Sequence, residues 1–420
     1  MVDPALCAKC KGSRRLCGRA KCPILSRIEA NIKVWDKIRE MNSLMGSSPP
    51  SVLVGEYGYP RVNVIVNIPP ILGPLAEHYE KPEEWWGKKN LEEIIMLRSS
   101  LVGSKFSANI KRVEFSRDKM LNAAKEIALS VKHVDTEAEF KKPPRPRVMF
   151  DGIIEPLGPS GIVKKIDIVS NPVVPRKVDQ VVEDYDLRAE EGIKELVQYG
   201  ISVYQIMRLL SLGMLGRKRE RKLVPTRWAI TAVDSIVGNL LYSRVRDYTE
   251  IDEIRLFTAD YIGNHYEIIM LPGSWSFEMI EIWLPNSVWI SGDKAYISVN
   301  YELHDGKPRI KDVDGGYYAM RMAVLEYLNK IRRQAIVIAI REVRPEYYAP
   351  VGVWQVRESV RGALRRGYTK FDDLAECLKA IATRIKTPLK IIMESSYLLK
   401  AVMRQEKITK YILDRAFSHA

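Results

Sequence analysis

The sequence predicts an α+β protein, and its pattern of strands, helices and cysteines supports that class. Residues 253–301 form successive strand-like runs separated by turn signals, whereas helical apolar spacing falls in other stretches. Four of the five cysteines lie within the first 22 residues. We therefore expect a small N-terminal four-cysteine metal knuckle, a mixed α/β main domain with antiparallel strands, and a basic, mostly helical C-terminal domain.

Length and composition indicate a soluble protein with more than one core. A chain of 420 residues exceeds the size at which a single hydrophobic core usually stops growing. Hydrophobic residues make up 46% and charged residues 28%, which excludes fibrous and largely disordered classes. No apolar run approaches the roughly 18 residues that span a bilayer, and the N-terminus lacks the apolar core of a signal peptide. These features predict a cytoplasmic protein with reduced thiols.

Positive charge is concentrated at the two ends of the chain. Residues 1–25 contain six Lys or Arg and one acidic residue, and residues 316–420 contain 20 and 10, within a net charge of +14. The middle is therefore close to neutral. Such a field attracts a polyanion by counterion release, which predicts nucleic acid as a partner. The alternative is the charge-rich surface of a thermophile protein.

The first half of the chain predicts one helix, then strands, then further helices. Apolar residues recur at helical spacing over 26–44, and the Gly/Ser/Pro cluster 46–51 marks the first boundary. Residues 51–68 predict a hairpin-like pair of strands around a Gly-Tyr-Pro turn. The prolines of 141–147 indicate an exposed basic crossover, and residues 186–213 are typical of helices.

The second half predicts strands followed by helices. After the strands of 253–301 we expect a helix over 317–334, a buried strand over 335–343, and mostly basic amphipathic helix from 356 onward, interrupted at Gly367 and Pro388. The predicted domains are a four-cysteine zinc knuckle plus helix (1–45), a main α+β domain (46–305), a basic C-terminal domain (306–395) and a tail with a candidate clamp-binding peptide (396–420).

The cysteine cluster predicts a metal site. A C-x2-C turn presents two thiolates to one ion, and a second pair completes four ligands for tetrahedral Zn²⁺. Four protein ligands leave no open position, so the expected zinc is structural. An iron–sulfur cluster and a redox pair are the alternatives. The spacing is tighter than that of the common zinc ribbon, which predicts a compact knuckle. The four ligands are Cys7, Cys10, Cys17 and Cys22.

A basic run inside the main domain predicts contact with nucleic acid. Cations interleaved with an aromatic residue suit phosphate contact and base stacking, although a solvated charge run explains the same composition. The candidate residues are Arg217, Lys218, Arg219, Arg221, Lys222, Arg227 and Trp228.

The C-terminal tail contains a candidate peptide for a sliding clamp. A turn of helix in such peptides projects apolar residues into a hydrophobic pocket while a glutamine fills a polar hole. Ile412 stands where an aromatic residue is expected, and eight residues follow it. The end of an ordinary amphipathic helix is the alternative. The peptide consists of Gln405, Ile408, Tyr411 and Ile412.

The common catalytic motifs are absent from the sequence. It contains no phosphate-binding P-loop, dinucleotide-binding loop, HExxH or G-x-S-x-G pattern. A rival hypothesis is a metal-dependent enzyme acting on DNA or nucleotides, with Mg²⁺ held by carboxylates. The spacing of these carboxylates matches no motif, and caps or ion pairs explain them as well. They are Asp151, Asp234, Glu253 and Asp260.

Four long segments resemble one family. VGEYGYPRVNV (54–64), RSSLVGS (98–104), LGRKRERKLVPTRWAITAVD (215–234) and the stretch from GGYYAMRMAVLEYLNKIRRQA to PVGVWQVRE (315–358) resemble the archaeal Nre family of DNA-repair proteins. The resemblance covers nearly the whole chain, and LVPTRW and GVWQVRE are its most specific pieces. The family's cysteine-bearing N-terminus matches the four cysteines.

The resemblance implies a factor for tolerance of DNA damage, such as interstrand crosslinks, that works with the sliding clamp (PCNA) through the C-terminal peptide. We therefore predict a DNA-repair factor that grips DNA through the zinc knuckle and basic regions and is recruited to the clamp by its tail. A DNA-processing enzyme and a scaffold that binds only proteins remain the rival hypotheses.

Overall fold

We describe the protein from a computed structural model of the chain. The description covers residues 22–111, 113–114, 117–146, 157–287, 290, 293–311 and 315–404, together with 9, 10, 14 and 16. Three predictions fall on residues outside it: the ligands Cys7 and Cys17, the carboxylate Asp151, and the whole of the clamp-binding peptide.

The first sheet is mixed and has six strands in the order β1-β5-β6-β4-β3-β2. The β4–β6 pair is parallel and the other pairs are antiparallel. Strict alternation in β3 places Val62, Val64 and Val66 in the core, which confirms the predicted hairpin of β2 and β3. The strands are β1 (Ser43–Ser48), β2 (Val52–Val54), β3 (Arg61–Ile68), β4 (Val102–Asn109), β5 (Val134–Phe140) and β6 (Ser160–Ile168).

The second sheet also has six strands, in the order β10-β9-β11-β8-β7-β12. Only the β9–β11 pair among them is parallel. Every residue of β8 and β9 is buried, because helices cover both faces of the sheet. The strands are β7 (Ile254–Tyr261), β8 (Asn264–Leu271), β9 (Ser276–Trp283), β10 (Tyr296–Glu302), β11 (Ile336–Val343) and β12 (Thr369–Phe371).

Helices connect the two sheets through one continuous core and cover the outer face of the second sheet. The core runs from the first sheet through helices α4 to α10 to the inner face of the second sheet, and a separate core lies under α11 and α12. The helices are α1 (Pro23–Ile38), α2 (Pro82–Trp85), α3 (Leu91–Ser99), α4 (Lys119–Leu129), α5 (Arg176–Glu183), α6 (Ala189–Gln198), α7 (Val203–Ser211), α8 (Thr226–Val245), α9 (Gly315–Ile331), α10 (Trp354–Arg366), α11 (Leu374–Ala382) and α12 (Leu389–Ser395); residues 397–404 are also helical, and 74–80 form a 3-10 helix.

The first helix is shorter than the helical spacing of residues 26–44 predicts. It ends at Ile38, and residues 43–48 pair with β5 as an edge strand. Gly46 lies within this strand. A side chain does not fit at that position, because a β-carbon would collide with the Pro69 carbonyl. Long-range pairing therefore overrides both the helical apolar spacing and the turn signal of the Gly/Ser/Pro cluster.

Most other predicted elements are confirmed. The helices within 186–213, the strands within 253–301, the helix near 317–334 and the strand near 335–343 all lie where the sequence indicates. The region from 356 onward is mostly helical, but β12 interrupts it just after Gly367, whose φ of +97° ends α10. The predicted division at 305/306 passes through the second sheet, since β11 lies between β8 and β9.

Among the described residues, the helices are too short or too polar to cross a bilayer.

Candidate nucleic-acid interface

Three surface loops from distant parts of the chain meet along one face. The Ile110 amide donates to the Pro60 carbonyl and the Leu223 amide donates to the Ile110 carbonyl, both at 3.0 Å. The Val54 amide donates to Oγ1 of Thr226 at 2.8 Å. We call the surface formed by residues 55–61, 109–111 and 215–228 the basic–aromatic face.

A buried arginine fixes the shape of the longest loop. The Arg221 side chain is 1% exposed, its Nε donates to the Gly216 carbonyl at 2.6 Å, and its Nη1 donates to Glu114 at 3.0 Å. Its Nη2 donates to the Val182 carbonyl at 2.8 Å, and the guanidinium lies over the Tyr185 ring. Arg221 therefore holds the loop from inside and does not belong to its exposed surface.

The remaining cations of the face are solvent-exposed. In the described part of the three loops, exposed Lys and Arg outnumber acidic residues seven to two, and the two acidic residues are Glu56 and Glu220. Such an excess creates a local positive potential that attracts phosphate. The exposed cations are Arg61, Lys111, Arg217, Lys218, Arg219, Lys222 and Arg227.

Three large aromatic side chains stand among these cations. Trp228 is 56% exposed, and Tyr57 and Tyr59 are 80% and 47% exposed. The prediction from sequence included Trp228 and missed both tyrosines. The GEYGYPR segment could have indicated both tyrosines. Its glycines and proline predict a short turn, and a short turn cannot bury two large aromatic side chains.

One ion pair links two of the loops directly. Nη1 of Arg227 lies 3.8 Å from Glu56, and the Arg227 side chain is 71% exposed. At this distance and exposure the pair contributes little stability, so Arg227 retains most of its capacity to contact phosphate.

The structure does not bring together the three predicted carboxylates that it describes. Asp234 is fully buried in α8 and pairs with Nη2 of Arg357 at 2.5 Å. Glu253 precedes β7 and Asp260 lies near the other end of that strand, roughly 23 Å away at the usual rise per residue. Asp260 contacts His265 at 2.8 Å. Among the described residues, no group of three or more His, Cys, Asp or Glu has a metal-binding arrangement.

The GVWQVRE segment forms a buried polar network between helices and the second sheet. Oε1 of Gln355 accepts a hydrogen bond from the Tyr266 hydroxyl at 3.0 Å. Glu358 accepts from the Tyr204 hydroxyl and from Nη1 of Arg361, each at 2.8 Å. These residues hold α10 against α7, α8 and β8, so their specific sequence has a structural explanation.

A cleft of about 670 Å³ lies beside α3 and the end of β7, and its charged groups largely neutralise one another. Nζ of Lys89 lies 3.2 Å from Glu93, and Nη1 of Arg344 lies 3.5 Å from Asp260. Arg366 stacks on the Trp86 ring at 4.6 Å. The cleft is therefore a weaker candidate for binding phosphate than the basic–aromatic face.

Two of the four clustered cysteines fall within the described residues. Cys10 is buried, and Cys22 occupies the N-cap position of α1. Cys377 differs, because burial raises the pKa of its thiol to about 12 and keeps it protonated.

A buried carboxylate anchors the segment that precedes the clamp-binding peptide. Glu278 on β9 accepts a hydrogen bond from the Ser396 hydroxyl and one from the Tyr397 amide at 2.6 Å. These donors lie at the start of the helical residues 397–404, so Glu278 acts as their N-cap. The Tyr397 ring stacks on Tyr301 at 4.4 Å.

Comparison with known proteins identifies the same family over both parts of the chain. Residues 16–290 match the family model described as Archaeal Nre, N-terminal, and residues 302–411 match Archaeal Nre, C-terminal. The two models divide close to the predicted division at 305/306, although the second sheet contains strands from both.

Similar proteins are DNA repair protein NreA and DNA repair protein NreB of Archaeoglobus fulgidus. The chain is 39% identical to the first over 90% of its own length and 94% of that protein, and 36% identical to the second over 94% and 97%. DNA repair protein NreA of Haloferax volcanii is 33% identical over 83% of this chain and 85% of that protein. No solved structure matches the chain.

Proposed function

Because this chain belongs to the archaeal Nre family, we propose that it is a DNA-repair factor that binds DNA through the basic–aromatic face. Three relatives are named DNA repair proteins, which supports the repair role. The proposal includes tolerance of DNA damage, action at the nucleoid, and recruitment to the sliding clamp (PCNA).

The observation that carries the proposal is the meeting of the VGEYGYPRVNV and LGRKRERKLVPTRW segments on one surface. Backbone hydrogen bonds through Ile110 join them, and the Thr226 hydroxyl ties the start of α8 to β2. The buried Arg221 orients the loop so that its other cations face solvent. A rigid cationic surface that also exposes aromatic rings has the chemistry of a nucleic-acid interface.

The N-terminal cysteines are proposed to hold one structural Zn²⁺. The donor set of Cys7, Cys10, Cys17 and Cys22 is complete for a tetrahedral ion. Zinc would fix the fold of residues 1–25 and hold their six cations together, adding to the contact with DNA.

The tail is proposed to recruit the protein to the clamp. Glu278 fixes the start of the helical residues 397–404, which directly precede the peptide beginning at Gln405 in the sequence. In the proposed interaction Gln405 fills the polar hole, while Ile408, Tyr411 and Ile412 enter the apolar pocket.

Direct binding measurements test this function. Fluorescence anisotropy of the metal-quantified full chain against DNA, with and without Mg²⁺, should show salt-sensitive binding, and a gel of the same samples should show intact DNA. Removing residues 405–420 should abolish clamp binding and leave DNA affinity unchanged. Absence of DNA binding at low salt with clamp binding retained would support a protein scaffold instead, and cleaved DNA would support an enzyme.

A further inference from the structure

We infer that the basic–aromatic face takes single-stranded DNA, whose unpaired bases stack on Tyr57, Tyr59 and Trp228. The inference rests on the proposed function and specifies its substrate class. It depends on the aromatic rings, whereas DNA binding as such depends on the cations of the same surface.

The three rings are held by rigid backbone, so their exposure is a property of the fold. The Arg61 amide donates to the Gly58 carbonyl at 2.9 Å and closes a turn that contains Tyr59 and directly follows Tyr57. Gly58 has a φ of +97°, which a residue with a side chain rarely adopts. Trp228 lies in the first turn of α8, where its amide donates to the Pro225 carbonyl at 2.9 Å and its neighbour Ala229 is fully buried.

Contacts between the loops bring together the segments that carry these exposed rings. Tyr57 follows Glu56, and Trp228 follows Arg227, so one aromatic residue lies beside each partner of the ion pair between the loops. Tyr59 precedes Pro60, whose carbonyl accepts from Ile110. A strand crossing this surface would meet cations and aromatic rings in turn, as proteins that bind single strands require.

A duplex cannot use the rings in this way. Within a closed double helix the faces of the bases are covered by their neighbours in the stack, whereas unpaired bases expose a π-face. Phosphates are present in both forms. The cations therefore predict affinity for both kinds of DNA, and the aromatic rings add affinity for the single strand.

The test replaces the rings and leaves the charges in place. Tyr57→Leu, Tyr59→Leu and Trp228→Leu, singly and together, would be measured by fluorescence anisotropy against a 20-nucleotide oligothymidylate and a 20-base-pair duplex. We expect each to lower single-strand affinity by roughly fivefold or more, and the triple variant by roughly a hundredfold. Duplex affinity should change by less than about twofold. Tyr57→Phe and Tyr59→Phe should retain single-strand affinity, because they keep the ring.

A matched control separates stacking from general effects. Tyr199, at the end of α6 and outside the face, is 67% exposed, so Tyr199→Leu should change neither affinity. Urea unfolding of each variant checks that it folds, and only folded variants are compared. If the wild-type protein binds DNA but the leucine variants lose nothing, or lose equally on both DNA forms, this inference is overturned and the proposed function stands. If the wild-type protein binds neither DNA and instead binds an acidic protein through this face, both fall.

Discussion

At the scale of single residues, Arg219 and Arg221 lie two positions apart in one basic run and occupy opposite environments. Arg219 is exposed, while the Arg221 guanidinium is enclosed by three backbone carbonyls at hydrogen-bond distance, Glu114 and the Tyr185 ring. The sequence predicted both as phosphate contacts, because composition cannot show which cation of a run turns inward.

Substitution should separate these two roles. Arg221→Gln leaves Glu114 without its closest cation and the loop without its anchor, so we expect the free energy of unfolding to fall by about 3 kcal/mol. Arg219→Gln should change it by less than about 0.5 kcal/mol and weaken DNA binding. Urea unfolding followed by circular dichroism measures the first quantity. Equal stability of the two variants would contradict the buried role of Arg221.

His265 should make stability depend on pH. It is 2% exposed and lies between Asp260 and Glu267, at 2.8 and 2.9 Å. Burial alone would lower the pKa of His265, but the two carboxylates outweigh burial and raise the pKa to about 9. The stability gained from the raised pKa is complete below the unfolded pKa of about 6.5 and is lost as the pH rises through about 9.

Between pH 6.5 and 9.5 the free energy of unfolding of the wild-type protein should fall by roughly 1–3 kcal/mol. The solvent exposure of Asp260 weakens its contribution to this effect. His265→Gln should flatten this part of the stability curve, and His304→Gln, at an exposed histidine, should leave it unchanged. Urea unfolding at several pH values measures the curve. A slope in the His265 variant equal to that of the wild type would disprove the assignment.

At the scale of elements, local sequence pattern predicted those that fold by their own periodicity. The alternation of 61–68 and the apolar run of 335–343 predicted β3 and β11, because the pattern of apolar residues in each segment matches the pattern of buried positions in the strand. The edge strand 43–48 was missed, since only pairing with β5 makes it a strand. The meeting of residues 55–61 with 215–228 was likewise invisible, because it depends on tertiary contacts more than 150 positions apart.

The cysteine element gives a prediction with an internal control. If the first four cysteines hold zinc, mass spectrometry of the purified protein should find about one zinc per chain, and Ser at Cys7, Cys10, Cys17 or Cys22 should lower that content strongly. Cys377→Ala should retain the metal, because the Cys377 thiol is fully buried under the second sheet, in the core with α11. Iron in place of zinc, or a full zinc content in the serine variants, would refute the zinc assignment.

At the scale of the whole molecule, the sequence located charge along the chain and the structure locates it in space. The basic surplus of the two ends and the basic run 215–228 belong to different elements, and the run lies next to the exposed Tyr57, Tyr59 and Trp228. The second sheet takes strands from both sides of the division predicted at 305/306, because charge and composition do not encode strand pairing.

The central claim is that the cations of the basic–aromatic face contact the DNA backbone. The variant Arg217→Gln, Arg219→Gln, Lys222→Gln removes three exposed charges from the face. Its matched control, Lys330→Gln, Arg332→Gln, Arg333→Gln, removes three exposed charges near the C-terminal end of α9. That site lies roughly 25 Å along the helix from Gly315, the end of α9 that approaches the first turns of α8.

The most direct test is the salt dependence of single-strand affinity for the wild type, the face variant and the control, measured by fluorescence anisotropy. Each lost phosphate contact makes the slope of log affinity against log salt shallower by about 0.7. The slope of the face variant should therefore be shallower than that of the wild type by about 2, and the slope of the control should be nearly unchanged. A face variant with the wild-type slope, or a control that loses as much, would contradict the account.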